Sequence, residues 1–340
     1  MQEYQSKLSE WGQWFAGFIS SSDEVVDAHD IAEVDLRCSL GLIENIDHLY
    51  RDCLGLIGEW STQLVDYTNN NYRLFESEPE SFENSHEMYQ AIAMVQFVQT
   101  ALRVHYNMEF AEGEYNAIDS RNLFLTGVLT GHGGTCVTLP VLYAALGQRV
   151  GYPIAVASTW EHFYCVWGEG PNSFCLEAAG NGFEKRSHDY YRNFRRPVTA
   201  RDEQVNGFLR RLSHRELFAH FADQRSNCLQ EQFRFDEALE ANFLADRLAP
   251  HIQQFSIHHA LTHYTRQLFY LLGGVPSLAM FAALEAFETD STSQLAGPDA
   301  QRFRSAAIQS LKRILKNRFP ESAKPAESTH DKVFAELFNL

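Results

Sequence analysis

Residues 131–143, GHGGTCVTLPVLY, set a glycine-rich loop directly before a cysteine, and that cysteine at the start of an apolar run with helical spacing. A free cysteine commonly packs as a small hydrophobe. At a helix N-terminus it has a second use, because the dipole favours the thiolate and lowers a pKa that is ordinarily about 8.5. Thr135 stands where an N-cap is expected, Pro140 is tolerated only near the helix start, and the glycines let backbone and substrate approach closely. The run then stops at Gly151-Tyr152-Pro153, a glycine and proline end signal.

Outward from that helix the periodicity changes. Residues 154–159 are small and β-branched, 161–167 mix aromatics with valine, and 174–177 follow a Gly168-Glu169-Gly170-Pro171-Asn172-Ser173 turn. The reading is a helix packed on an antiparallel sheet, an α+β core. His162 opens the second strand and is the candidate base for Cys136. If the hairpin turns between Gly170 and Pro171, Tyr164 faces Glu177, and His162 is a diagonal neighbour of Glu177 on the same face. Such pairs are about 7–8 Å apart at the backbone, within side-chain reach. Glu177 is then the group that fixes the imidazole tautomer, the third member of a Cys136, His162, Glu177 triad.

Four stretches together resemble the transglutaminase-like superfamily: 115–125, 134–143, Glu161-His162-Phe163, and 176–182. The nearest likeness is to a bacterial branch in which the core is followed by tetratricopeptide-like helices. The resemblance covers about residues 85–200 and, loosely, 213–250. It implies a papain-like α+β core with cysteine at a helix start and histidine and an acid on adjacent strands. Carried over, these are Cys136, His162 and Glu177, with glutamate where the superfamily usually has aspartate. The branch also includes members without the cysteine. For the oxyanion, the Cys136 amide is the natural first donor. Asn122 and Trp160 are candidates for a second, though Asn122 could equally cap a helix and Trp160 wall the cleft. Gly134 and His132 are candidate substrate contacts, with a bystander role for His132 left open.

Helical patterns flank the core. Leu8, Trp11, Phe15 and Phe18 share one face; further stripes run through Leu36, Leu40, Ile43 and Leu54, and through Met88, Ile92, Val95 and Val98, with Asn69-Asn70-Asn71 and 76–85 expected as loops. Beyond 201, Ser213 and Glu216 have capping-box spacing, and 213–250 reads as a helical hairpin. Helices over 256–272, 276–287 and 298–317 follow, then a polar linker at 321–329 and an amphipathic tail with Val333, Phe334, Leu337 and Phe338. The expected division is 1–118 helical, 119–200 α+β core, and 201–340 helical and tetratricopeptide-like.

The formal net charge of −16 argues against nucleic acid, because that affinity rests on lysines and arginines that neutralise phosphates. No apolar run reaches the roughly 20 residues of a membrane span, and the N-terminus lacks the layout of a signal peptide, so a cytoplasmic location is expected. The six cysteines lack CxxC pairs, and Cys165 with Cys175 are expected as thiols. His259 and His263 are one turn apart without a third ligand, and no calcium-loop spacing occurs. Neither metal nor cofactor is expected. The chemistry pointed to is acyl transfer at an amide or ester of a protein or peptide substrate. A noncatalytic scaffold, binding a protein through its C-terminal helices, is the alternative.

Overall fold

A helix that is apolar around its whole circumference must be covered on every side. Thr138–Arg149 is such a helix: all its residues from Thr138 to Gly147 are buried. The computed structural model describes residues 8–42, 47–112, 117, 119–277, 279–280, 283–284 and 298–319. Ile43, Tyr115, Asn116 and Ile118, most of the expected 276–287 helix, and the expected linker and tail beyond 320 lie outside the described residues. Two compact units divide the chain, one spanning 21–221 and the other 1–20 with 222–340. These units do not follow the compositional breaks at 118 and 200, since the Glu10–Ser20 helix packs with the helices beyond 222.

In the unit spanning 21–221, the Thr138–Arg149 helix packs against the helices Ile31–Ser39, Tyr50–Ser77 and Leu125–Leu129 and against the sheet. That sheet is an antiparallel meander of β1 (Ile154–Thr159), β2 (His162–Trp167), β3 (Phe174–Leu176) and β4 (Lys185–Arg186), in that spatial order. The fold is therefore α+β and mostly helical around a small antiparallel sheet. Every residue of β1, β2 and β3 is buried, so both faces are covered. On one face Cys165 Sγ donates to the Pro140 carbonyl at 3.5 Å, while Tyr164 stacks on Tyr191 at a 3.6 Å ring separation. Consecutive strand residues point to opposite sides, so these two contacts identify the two layers. The free edge of β1 is closed by a loop: the Leu209 and Leu212 amides donate to Ser158 and Val156 carbonyls at 3.0 and 2.9 Å. Gly147 permits the close fit of helix to sheet, since a Cβ there would lie 2.4 Å from Ile154 Cγ2.

One local expectation needs correction. Asn69, Asn70 and Asn71 are helical, because Tyr50–Ser77 runs through them. Its buried positions Cys53, Ile57, Ser61, Leu64 and Thr68 keep one face, and tertiary burial outweighs the few tenths of a kcal/mol by which each asparagine disfavours helix. The two-residue β4 was not expected, being too short to show alternation.

The other unit is a set of packed helices. Phe235–Leu248 packs against Gln253–Leu271 and Glu10–Ser20, and Gln253–Leu271 packs against Pro298–Arg318, as expected for tetratricopeptide-like helices. Ser9 donates its amide to Glu240 at 3.0 Å. A buried polar network runs through these helices: Asn242 donates to Asp223 at 2.9 Å and accepts from Ser226 and Thr262 at 2.7 Å each. His263 meets Gln267 and His259 meets the Phe243 ring; among the described residues no group of three His, Cys, Asp or Glu side chains is arranged to hold a metal. No described helix is long and apolar enough to cross a membrane.

One buried acid in the unit spanning 21–221 is a stability determinant. Asp35 Oδ1 accepts from the Leu125 amide at 2.8 Å, while Oδ2 is buried with no partner among the described residues. Burial pushes its carboxyl up to about 8, against one opposing hydrogen bond. An acid with a raised native pKa favours the fold below its unfolded value of about 4, and that contribution disappears as pH rises through about 8. Thermal melts from pH 4 to 9 should show the wild type losing stability across this window. D35N, which mimics the neutral acid, should flatten the profile and melt higher at pH 8.

Candidate active site

The glycine loop is built to hold the cysteine. Gly131 and Gly133 take φ of 83° and 91°, where L side chains are strained. Gly134 pairs with the 105–107 segment: its amide donates to His105 O at 2.9 Å and its carbonyl accepts from Asn107 N–H at 2.7 Å. A Cβ on Gly134 would lie 2.3 Å from Leu139 Cδ2, so a larger residue there would displace the Leu139 side chain. Thr135 caps the helix: its hydroxyl accepts from the Val137 and Thr138 amides at 3.2 and 3.3 Å, and its carbonyl accepts from Leu139 N–H at 3.0 Å. In return Thr138 Oγ1 accepts from the Thr135 amide at 2.8 Å, a reciprocal exchange of the capping-box kind. Regular helix begins at Thr138, two residues beyond the expected start, and Cys136 lies in the turn that leads into it.

The same turn is fastened to the base's strand. Cys136 O accepts from Phe163 N–H at 3.3 Å, next to His162. The β2–β3 register pairs Cys165 with Leu176, and extending it by one residue sets Tyr164 opposite Glu177. His162 Nε2 is 2.9 Å from Glu177 Oε2. That carboxylate also accepts from the Tyr191 hydroxyl at 3.2 Å and the Ala179 amide at 3.0 Å. The imidazole lies near the rings of Phe194, 4.5 Å away, and Tyr191, 6.0 Å away.

Burial opposes charge on His162, yet Cys136 and Glu177 outweigh it and lift the imidazole to about 9. Burial likewise opposes charge on Glu177, but His162, Ala179 and Tyr191 hold its carboxyl below the ordinary range. Nε2 is committed to Glu177, and Nδ1 is buried with no hydrogen bond of normal geometry among the described residues. Cys136 is near enough to act on the ring electrostatically, and such contacts are commonly loose without substrate.

Cys136, His162 and Glu177 line one cavity of about 620 Å³. Four other candidates do not line it. His132 Nε2 lies 3.0 Å from both Asn107 Nδ2 and Asn122 Oδ1, so both asparagines are within hydrogen-bond distance of that ring nitrogen. Trp160 packs on Phe208 and beneath the Arg196 guanidinium. Gly134 has its amide and carbonyl engaged by the 105–107 segment.

The cavity brings in residues that local sequence did not mark as site candidates. Gln99 comes from a π-helical turn, Phe97–Ala101, and ties down the far wall by donating to Gly180 O at 3.1 Å and accepting from Gly182 N–H at 2.8 Å. Tyr106 lies against both the amide and the thiol of Cys136, and burial followed by that thiol pushes its phenol up. Arg195 lines the mouth. Tyr106 and Arg195 are 30 and 59 positions from Cys136, and no motif joins them.

Compared with protein families, residues 73–222 match the transglutaminase-like superfamily. No curated protein and no solved structure matches the chain.

The His162–Glu177 pair has a pH signature. Its contribution is full below about 6.5 for the histidine, provided that Glu177 is ionised, and is lost as pH rises through about 9. It is lost again in acid as Glu177 takes up its proton. E177Q should therefore be destabilised most near neutral pH and least above pH 9. By NMR titration, its His162 should fall from about 9 toward the ordinary imidazole value of about 6.5 or below.

Proposed function

With residues 73–222 a domain of the transglutaminase-like superfamily, we propose that this chain is a thiol-dependent acyl-transfer enzyme acting on amide or ester carbonyls of a protein or peptide. The observation that carries this reading is that the cavity wall unites a cysteine at a helix start with a histidine whose other nitrogen is held by a buried carboxylate.

In this mechanism Cys136 Sγ attacks the carbonyl carbon. With Nε2 bound to Glu177, Nδ1 is the atom that holds the thiol proton and returns it to the leaving amine or alcohol. Glu177 fixes the tautomer and stabilises the imidazolium. The Cys136 amide is one donor for the developing oxyanion, and the Tyr106 hydroxyl, which lies against that amide, is the second. Water or an amine then resolves the thioester; the first half-reaction is common to proteolysis, amidase action, deamidation and transamidation.

A scaffold role is favoured by one observation: Cys136 is only 4% exposed. Reactivity separates the two readings, because all six cysteines are buried free thiols. Burial pushes Cys175 up to about 12 and Cys165 well above the ordinary thiol value. Iodoacetamide at neutral pH, read by peptide mass spectrometry, should label Cys136 faster than the others by about tenfold or more, and H162A should remove that advantage. Hydrolysis of p-nitrophenyl acetate should show a burst of one product per chain that C136A abolishes and Y106F slows by about 10- to 100-fold. A Cys136 that alkylates as slowly as Cys165 in wild type and H162A alike would leave the scaffold reading.

A further inference from the structure

The charges around the cavity are unevenly matched. Glu177 is the only acid among its described lining residues, and His162 compensates it. Arg195 is the remaining strong cation on the wall. Its acidic neighbour Glu161 is 3.7 Å away, beyond hydrogen-bond distance, and both side chains are more than half exposed. Such a pair contributes about 0–1 kcal/mol and is readily exchanged for a better anion. Arg195 itself lies over the Phe194 ring at a longer 5.7 Å, whereas nearby arginines are held more directly: Arg192 bonds Glu203, Arg186 bonds Glu184, and Arg196 lies over the Trp160 ring at 3.6 Å.

The backbone aims this residue at some cost. Arg195 has φ of 45°, a left-handed conformation that a residue with a long side chain seldom adopts, in a tight turn closed by Arg196 N–H donating to Phe194 O. The turn gives Phe194 to the His162 ring and the following guanidinium to the cavity. The positive charge of Arg195 is felt at the Tyr106 hydroxyl, which itself touches Cys136. The chain's net charge of −16 repels anions at long range, so selection of an anion here has to come from a local contact.

We propose that Arg195 is a specificity residue that selects acyl donors carrying a carboxylate beside the reacting carbonyl. The inference rests on the thiol-nucleophile reading. A guanidinium presents parallel N–H donors that match both oxygens of a carboxylate, which a neutral amide of the same shape cannot replace.

Iodoacetate and iodoacetamide form a near-isosteric pair that tests this. Each gives an S–CH₂ bond to Cys136 Sγ and releases iodide, and they differ in carboxylate against carboxamide. The ratio of iodoacetate to iodoacetamide rates at Cys136 should fall about threefold to fivefold in R195Q, hold partly in R195K, and converge between wild type and R195Q at about 1 M salt. Peptide chloromethyl ketones with Glu or Gln beside the reactive residue identify the source. A Glu preference erased by R195Q assigns an acidic peptide, whereas an effect confined to iodoacetate assigns a small free acid. Fast alkylation with an unchanged ratio in R195Q, or an equal fall with both reagents, overturns the Arg195 assignment alone. Slow alkylation by both reagents that H162A does not alter overturns the nucleophile reading and this proposal with it.

Discussion

Complete burial of the Thr138–Arg149 helix is the constraint from which the unit spanning 21–221 is built. An apolar cylinder needs neighbours all round, and it is enclosed by three helices and the first two strands of the sheet. Its N-terminus is therefore a fixed point. Thr135 closes the first turn, and the Cys136 carbonyl is hydrogen-bonded to the strand that begins with His162. Helix start and strand start are thus one junction, and their side chains meet because two backbones are packed and bonded there.

The opposite wall is held by different means. The Gly180 to Gly182 loop has little regular structure of its own, and Gln99 secures it with one bond to a carbonyl and one from an amide. Gln99 stands in a π-helical turn, where the wider spacing redirects a side chain that regular helix would carry elsewhere. Tyr106 reaches the thiol through another short backbone exchange, the pairing of 105–107 with Gly134. The cavity is lined from both sides of the glycine loop because the loop's own peptide groups are used as mortar.

Sequence carried the core because its signals are local. A glycine loop, a capped apolar helix and two strand-like runs are read residue by residue, and the observed strands Ile154–Thr159 and His162–Trp167 fall within a residue of the runs expected. The hairpin register was legible too, since one turn fixes it. What was not legible depends on distance along the chain. Gln99, Tyr106 and Arg195 reach the cavity through an irregular turn, an isolated bridge and a left-handed residue, none of which has a periodic signature. Asn122 and His132 were candidates by proximity to the motif, but neither lines the cavity, and His132 Nε2 lies 3.0 Å from Asn122 Oδ1. The asparagine triplet misled for the opposite reason: local propensity is weak beside the burial of a continuous helical face.

Two buried carboxyls in the same unit show how the fold decides between charge and neutrality. Asp35 receives one amide, and desolvation wins, pushing it up to about 8. Glu177 is also buried, yet it receives an imidazole, an amide and a phenol, and these together hold it ionised. Removing a charge from water costs several kcal/mol, and one neutral donor returns less than that. Three donors, one of them cationic, can offset it. A buried ion pair is a poor route to stability alone, since well-packed apolar groups often serve as well. The donors gathered on Glu177 make physical sense as the means of keeping His162 oriented and charged beside Cys136. Asp35, with one bond and one orphaned oxygen, marks what the same interior does to a carboxyl without such support.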